Sequence, residues 1–101
     1  MRKEINKILD LKLTCSACPT QLEGFIQTPK GRRPLYIRYR WGYLSIRVGD
    51  LNSDDIMTAV MGREVIGEQI GNCLDGILDE SVLSEYLTKL QLTDIESEGG
   101  K

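Results

Sequence analysis

The sequence has no histidine, and it has only one tryptophan, one phenylalanine, three prolines and three cysteines among its 101 residues. The lack of histidine removes the commonest general base, the Ser-His and Cys-His nucleophile pairs and the commonest zinc ligand. No apolar run approaches the roughly 20 residues that a transmembrane helix needs. These absences favour a non-enzymatic protein that does not span a membrane.

The composition, 41% hydrophobic and 28% charged, is typical of one small globular domain. We expect this domain to occupy residues 1–92 and to be followed by a polar, flexible tail over 93–101. The first residues, Met1 to Glu4, lead into a stretch that Asn6, Lys7 and Asp10 interrupt. We therefore expect no signal peptide and a cytoplasmic location.

Charge is distributed unevenly along the chain. Residues 24–49 carry six basic side chains and no acidic one, whereas residues 50–101 carry twelve acidic and three basic side chains. This separation predicts a basic surface for a polyanion, an acidic surface for a basic partner, or two halves that attract one another within the fold. The sequence alone leaves these three interpretations open.

Residues 34–48 give the clearest structural pattern, a β-hairpin turning at Trp41-Gly42. A two-residue loop there pairs Leu35 with Val48 and Ile37 with Ile46. Every aliphatic side chain then lies on one face and every arginine on the other, and a slip of one residue would destroy this separation.

The segments before the hairpin give weaker patterns. Ile5 to Leu9 have helical spacing and lead into an extended stretch, and Gln21–Thr28 resembles a strand with Leu22 and Ile26 on one face. Pro29-Lys30-Gly31 predicts the turn into the hairpin.

After the hairpin, residues 53–61 suit either a short capped helix or a strand that turns at Met61-Gly62 into Arg63–Ile70, and we favour the strand. A final helix is predicted after a cap at Asp79 or Ser81. Its apolar stripe consists of Val82, Leu83, Tyr86, Leu87 and Leu90. The fold class expected is α+β: an antiparallel sheet of three to five strands with the C-terminal helix on its aliphatic face.

The polar face of the hairpin is the first candidate site. It consists of Tyr36, Arg38, Arg40, Tyr43 and Arg47, with Lys30, Arg32 and Arg33 in and after the preceding turn. Guanidinium groups bind phosphate or carboxylate oxygens and tyrosine rings stack on bases, so the face could hold a nucleotide, single-stranded nucleic acid or an acidic protein surface. The plainer interpretation is the solvated side of a two-layer sheet, although that predicts charges of both signs.

The second candidate is Cys15-Ser16-Ala17-Cys18, which has the spacing of half a zinc site or of a redox dithiol. Cys73 could supply a third zinc ligand. Pro19 and the absence of a βαβ pattern disfavour the redox interpretation, and small reduced cysteines remain the simplest one. We expect no cofactor, with zinc as the alternative.

Together these patterns predict a small non-enzymatic module that binds an anionic ligand on the Arg/Tyr-rich sheet face. The alternative is an interaction or inhibitor protein, such as a phage-type regulator or nucleic-acid mimic, whose acidic C-terminal half docks on a basic macromolecule. An open sheet edge or the tyrosines could also form a homodimer.

Overall fold

A computed structural model of the chain describes residues 5–16, 20–71, 80–93 and 95. Five antiparallel strands form one sheet in the order of the sequence. They are β1 (Lys7–Ser16), β2 (Thr20–Thr28), β3 (Gly31–Arg40), β4 (Tyr43–Val48) and β5 (Arg63–Gln69), with helices α1 (Met57–Val60) and α2 (Glu80–Leu92). The predicted α+β class, with a C-terminal helix on an antiparallel sheet, is confirmed.

The central hairpin has the predicted register. Leu35 pairs with Val48, Ile37 with Ile46, and Arg40 with Tyr43 at the turn. Because side chains alternate between the faces of a strand, the aliphatic residues of β3 and β4 share one face and are buried. This face forms the centre of the core.

Helix α2 covers that buried face. Tyr86 and Leu90 belong to the core, and Val82, Leu83 and Leu87 pack against it, so the predicted apolar stripe is confirmed. Ile95 is only 1% exposed and also belongs to the core. The apolar core therefore includes a residue of the segment that we predicted as a polar tail.

The structure corrects the prediction of helical turns near residue 5. Lys7 to Ser16 form an edge strand that pairs with β2, and the pairing is irregular between Leu9 and Lys12. Asp10 has a φ of 52°, a left-handed conformation that bends the strand there. The register of the β1–β2 pairing shifts by one residue at this irregularity, so Leu9 and Leu11 do not follow a single alternation through the strand.

The preference for a strand over residues 53–61 was wrong. Residues 57–60 form one helical turn, and the Asp55 carboxylate accepts a hydrogen bond from the Met57 N–H at 3.0 Å. Ala59 is the residue of this turn that is fully buried. Local hydrogen bonding by Asp55, in the turn before the helix, therefore prevailed over the strand propensities of Thr58 and Val60.

Asn6 connects the two ends of the described chain. Its buried side chain donates hydrogen bonds to the carbonyls of Leu90 at 2.8 Å and Thr93 at 2.7 Å. The backbone N–H groups of Ile5 and Asn6 both donate to the Gln91 carbonyl. These bonds satisfy carbonyls at the C-terminus of α2 that have no partner within the helix.

Neither of the helices in the described part of the chain is long and apolar enough to cross a membrane.

Candidate functional site

The face of the sheet opposite α2 carries a cavity of about 650 Å³. It lies beside β3, β4 and the turn between them, with the end of α1 and the start of β5 as its other walls. The lining residues are Tyr36, Arg38, Arg40, Trp41, Tyr43, Ser45, Arg47, Val60, Met61 and Glu64. All five hairpin residues of the predicted site line this one cavity.

Alternation along the strands explains why these side chains converge. Even-numbered residues of β3 and odd-numbered residues of β4 lie on the same face, since Arg38 pairs with Ser45 and Tyr36 with Arg47. The arginines and tyrosines therefore come from directly opposed positions on two neighbouring strands.

The connection between β4 and β5 makes the face concave. It crosses the sheet at the close approaches of Gly49 and Gly62, where an added Cβ would collide with backbone atoms. Val60 and Met61 at its end become a wall of the cavity. Tyr36 lines the same cavity and is only 8% exposed, so this part of the face is not the open, solvated side of a two-layer sheet.

One carboxylate lies in the lining and is held by three side chains. Glu64 accepts hydrogen bonds from the Tyr43 hydroxyl at 2.9 Å and the Ser45 hydroxyl at 2.7 Å. Arg47 approaches it at 3.6 Å and also donates to the Gly62 carbonyl at 3.0 Å. The hydrogen bond to Glu64 raises the pKa of Tyr43, and burial raises it further. Arg47 therefore stabilises the β4–β5 corner as well as lining the cavity.

Arg38 and Arg40 have no carboxylate partner among the described residues. The Arg38 Nε is buried and lacks a hydrogen-bond acceptor there. The Arg40 guanidinium lies over the Trp41 ring, 4.1 Å from its centroid. With Arg47 and Glu64 neutralising one another, these two arginines give the cavity its positive charge.

The three basic residues near the β2–β3 turn lie elsewhere. Arg32 shares the face of Arg38, but it stacks on Phe25 and forms an ion pair with Asp54. Arg33 lies on the opposite face and donates to the Gly49 carbonyl at 2.8 Å. Lys30 is exposed in the turn. None of the three lines the cavity, so the structure does not bring them to the other five.

Trp41 lines the cavity, although the hairpin pattern in the sequence predicts for it only a place in the turn. Its φ is 54° and that of Gly42 is 77°. Turns with two positive φ values favour Asn-Gly, and a bulky aromatic residue there is an outlier. That mismatch between residue and turn was the signal that could have identified Trp41 from the sequence.

A second concavity of about 660 Å³ lies on the same face, beside β1 and β2. Its charged lining residues are Asp10, Lys12 and Glu23, with Phe25 and Ile56 among the others. Two acids against one base leave this concavity slightly negative. It differs from the first in charge although the two volumes are similar.

The cysteines of the zinc hypothesis do not come together in the described residues. Cys15 is half-buried in β1, while Cys18 and Cys73 lie outside the described residues. Across residues 5–16, 20–71, 80–93 and 95, no group of cysteine and carboxylate side chains could hold a metal ion. The zinc alternative thus remains a prediction.

Fold and cavity together define a class: a small α+β domain with a meandering five-stranded sheet and a cationic, aromatic cavity on the face away from the long helix. In comparisons with known proteins, no protein family, no curated protein and no solved structure matches the chain.

Proposed function

We propose that the protein is a non-enzymatic, cytoplasmic module that binds an anionic ligand in the cavity between the β3–β4 hairpin and the end of α1. A nucleotide, single-stranded nucleic acid and an acidic protein surface all have suitable oxygen atoms. The observation that carries the proposal is Arg38, whose buried Nε has no acceptor among the described residues. The cytoplasmic location is predicted from the sequence and does not depend on the cavity.

A buried N–H without an acceptor costs roughly 1–3 kcal/mol relative to one that is hydrogen-bonded. An anion in the cavity would supply that acceptor, and Arg40 lines the same cavity without a carboxylate partner among the described residues. Hydrogen bonds from a guanidinium to an anion are among the stronger ones in proteins. Binding would therefore remove an unfavourable feature of the unliganded protein.

The other arginines support this assignment by contrast. Arg32 and Arg47 have carboxylates nearby, at Asp54 and Glu64, and Arg33 binds a backbone carbonyl. Their charges are used within the fold. We therefore restrict the ligand-binding arginines to Arg38 and Arg40, fewer than the sequence predicted.

The acidic half of the chain also takes part in these internal contacts. Asp54 and Glu64 contact arginines of the basic half, and Glu68 accepts a hydrogen bond from Tyr86. Part of the charge separation in the sequence therefore reflects attraction between the two halves. This favours the basic cavity over the acidic half as the binding surface.

The test compares two charge-reversal variants that change the net charge equally. Arg38→Glu with Arg40→Glu alters the cavity, while Lys7→Glu with Lys12→Glu alters exposed residues of the edge strand β1. Tripolyphosphate, an oligodeoxythymidylate and polyglutamate serve as probes, and Trp41 fluorescence reports binding at the cavity. We expect at least one probe to bind, more weakly at higher salt.

The cavity variant should weaken that binding at least about tenfold, because Arg38 and Arg40 line the cavity that would hold the anion. The β1 variant should stay close to the wild type, because its lysines lie outside this cavity and exposed charges contribute little to affinity. If neither variant weakens binding, or if no probe binds the wild-type protein, the proposal is wrong. Circular dichroism checks that both variants are folded.

A further inference from the structure

Trp41 has features that the fold itself does not require. It is 61% exposed, so it contributes little to the core, and it adopts a left-handed backbone that is strained for a bulky residue. Such a conformation costs roughly 1–2 kcal/mol, and strain of this kind concentrates at functional sites. Exposure and strain at one residue point to a function outside the folding of the chain.

The turn that carries the ring is fixed from below by β5 and the residues that follow it. The Gln69 side chain donates to the Trp41 carbonyl at 2.8 Å. The N–H groups of Ile70 and Gly71 both donate to the Gly42 carbonyl, at 2.8 and 3.0 Å. The backbone of the turn is thus fixed, and the ring lies against the Arg40 guanidinium, before any ligand arrives. This lowers the entropy cost of binding to the ring.

The surroundings of the ring suit a nucleotide. The Arg40 guanidinium covers one face of the indole, and the high exposure leaves the other face open. Arg38 lies in the same cavity with its free Nε. A stacking surface for a base and two cations for its phosphates therefore occur side by side.

We propose that the cavity binds single-stranded nucleic acid, with one base stacked on Trp41 and the neighbouring phosphates on Arg38 and Arg40. This inference rests on the proposed function and specifies its ligand. A strand fits better than an isolated nucleotide, because pockets for small molecules enclose most of their ligand whereas this ring lies largely in solvent. An acidic peptide would use the arginines but leave the indole without a stacking partner.

The experiment measures the affinity of fluorescently labelled strands by anisotropy, so that the signal does not depend on Trp41. One strand is an oligodeoxythymidylate of about eight nucleotides, within the usual site size of such proteins. The other is an abasic strand of the same length, with the same phosphates and no bases. We expect the thymidylate strand to bind about tenfold more tightly, since stacking one base contributes roughly 1–3 kcal/mol.

Two variants of the tryptophan assign this difference. Trp41→Ala should reduce the affinity for the thymidylate strand about tenfold and leave the abasic strand unchanged. Trp41→Phe, which keeps an aromatic ring, should restore part of the loss. The double variant Arg38→Glu with Arg40→Glu should reduce the affinity for both the thymidylate and the abasic strand.

The outcomes separate the two proposals. If both strands bind equally and Trp41→Ala changes neither, base stacking is overturned while anion binding stands. If thymidine monophosphate binds as tightly as the strand, or if polyglutamate displaces it at lower concentration, the assignment to single-stranded nucleic acid is overturned. If no anion binds at all, both proposals fail.

Discussion

At the scale of single residues, the backbone of Trp41 and its side chain have opposite effects on stability. The left-handed conformation destabilises the turn by roughly 1–2 kcal/mol for an ordinary residue, while the stack with Arg40 returns roughly 0.5–1 kcal/mol. Asparagine tolerates that conformation far better than tryptophan. The residue present is thus not the one that stability alone would favour.

We expect Trp41→Asn to raise the free energy of unfolding by about 0.5 kcal/mol, because the relief of strain exceeds the loss of the stack. Urea unfolding followed by circular dichroism measures the change. Trp41→Ala is the control, since alanine loses the stack but keeps the strain. An asparagine variant less stable than the alanine variant would contradict the assignment of strain to this turn.

At the scale of elements, the sequence predicted what depends on alternation along the chain. The hairpin register followed from Leu35, Ile37 and their partners, because only one register places all of them on one face. The second half of β1 was predicted as extended, but its first residues were assigned to helical turns, because the irregularity at Asp10 interrupts the alternation that would have joined the two parts.

The candidate site was predictable in part for the same reason. Its five hairpin residues share a face, and that face follows from the register. The concavity does not follow from it, because its wall comes from Val60 and Met61. Their position depends on how the connection between β4 and β5 crosses the sheet, a tertiary contact without a periodic pattern in the sequence.

The close approach at Gly62 should therefore be critical for that wall. An added Cβ would collide with the backbone carbonyls of Val48 and Thr58, which cannot move as freely as a side chain. We expect Gly62→Ala to lower the free energy of unfolding by about 2 kcal/mol, which is the usual cost of adding a methyl group where no space exists for it. Guanidinium unfolding measures the loss.

Gly67→Ala provides the matched control for this prediction. The atoms nearest to a Cβ added at Gly67 are the ends of the Glu64 and Tyr43 side chains, which can move aside at the cost of their hydrogen bond. We expect Gly67→Ala to lower the free energy of unfolding clearly less than Gly62→Ala does. Equal losses in the two variants would show that contact with backbone carbonyls is not what fixes the connection.

At the scale of the whole molecule, two tyrosine–glutamate pairs hold β5 from opposite sides. Tyr43 donates to Glu64 on the cavity side, and Tyr86 donates to Glu68 at 2.8 Å on the side of α2. In each pair the hydrogen bond to the glutamate raises the pKa of the tyrosine above its ordinary value. Both pairs therefore depend on protonated tyrosines.

A raised pKa means that the folded protein holds the tyrosine proton more tightly than the unfolded chain does. The resulting stabilisation is fully present below about pH 10, the unfolded value, and is lost as the pH rises through the higher folded value. We expect the free energy of unfolding to fall above about pH 10, as measured by urea unfolding in a pH series.

Other groups of the protein also lose protons at alkaline pH, so the contribution of the two tyrosines is measured by comparison with a variant that lacks both hydroxyls. Tyr43→Phe with Tyr86→Phe should be less stable near neutral pH and lose less stability than the wild type between neutral and alkaline pH. A double variant with the same alkaline loss as the wild type would assign that loss to other groups.

The contacts of Asn6 have a consequence for the kinetics of folding. Neighbours in the sheet are neighbours in the sequence, so each strand pairing closes a short stretch of chain. The bonds from Asn6 to the carbonyls of Leu90 and Thr93 instead join residues separated by 84 and 87 positions. We expect these bonds to form after the rate-limiting step, once sheet and helix have met.

If Asn6→Ala lowers the free energy of unfolding by about 1.4 kcal/mol, it should speed unfolding about tenfold and leave the refolding rate unchanged. Ile37→Val, in the central hairpin, should instead slow refolding. Stopped-flow measurements of both rates across a denaturant series would decide this. Slower refolding of Asn6→Ala would instead place the joining of the chain ends before the barrier. With late closure, Asn6 determines how long the folded molecule persists, and the hairpin determines how soon it forms.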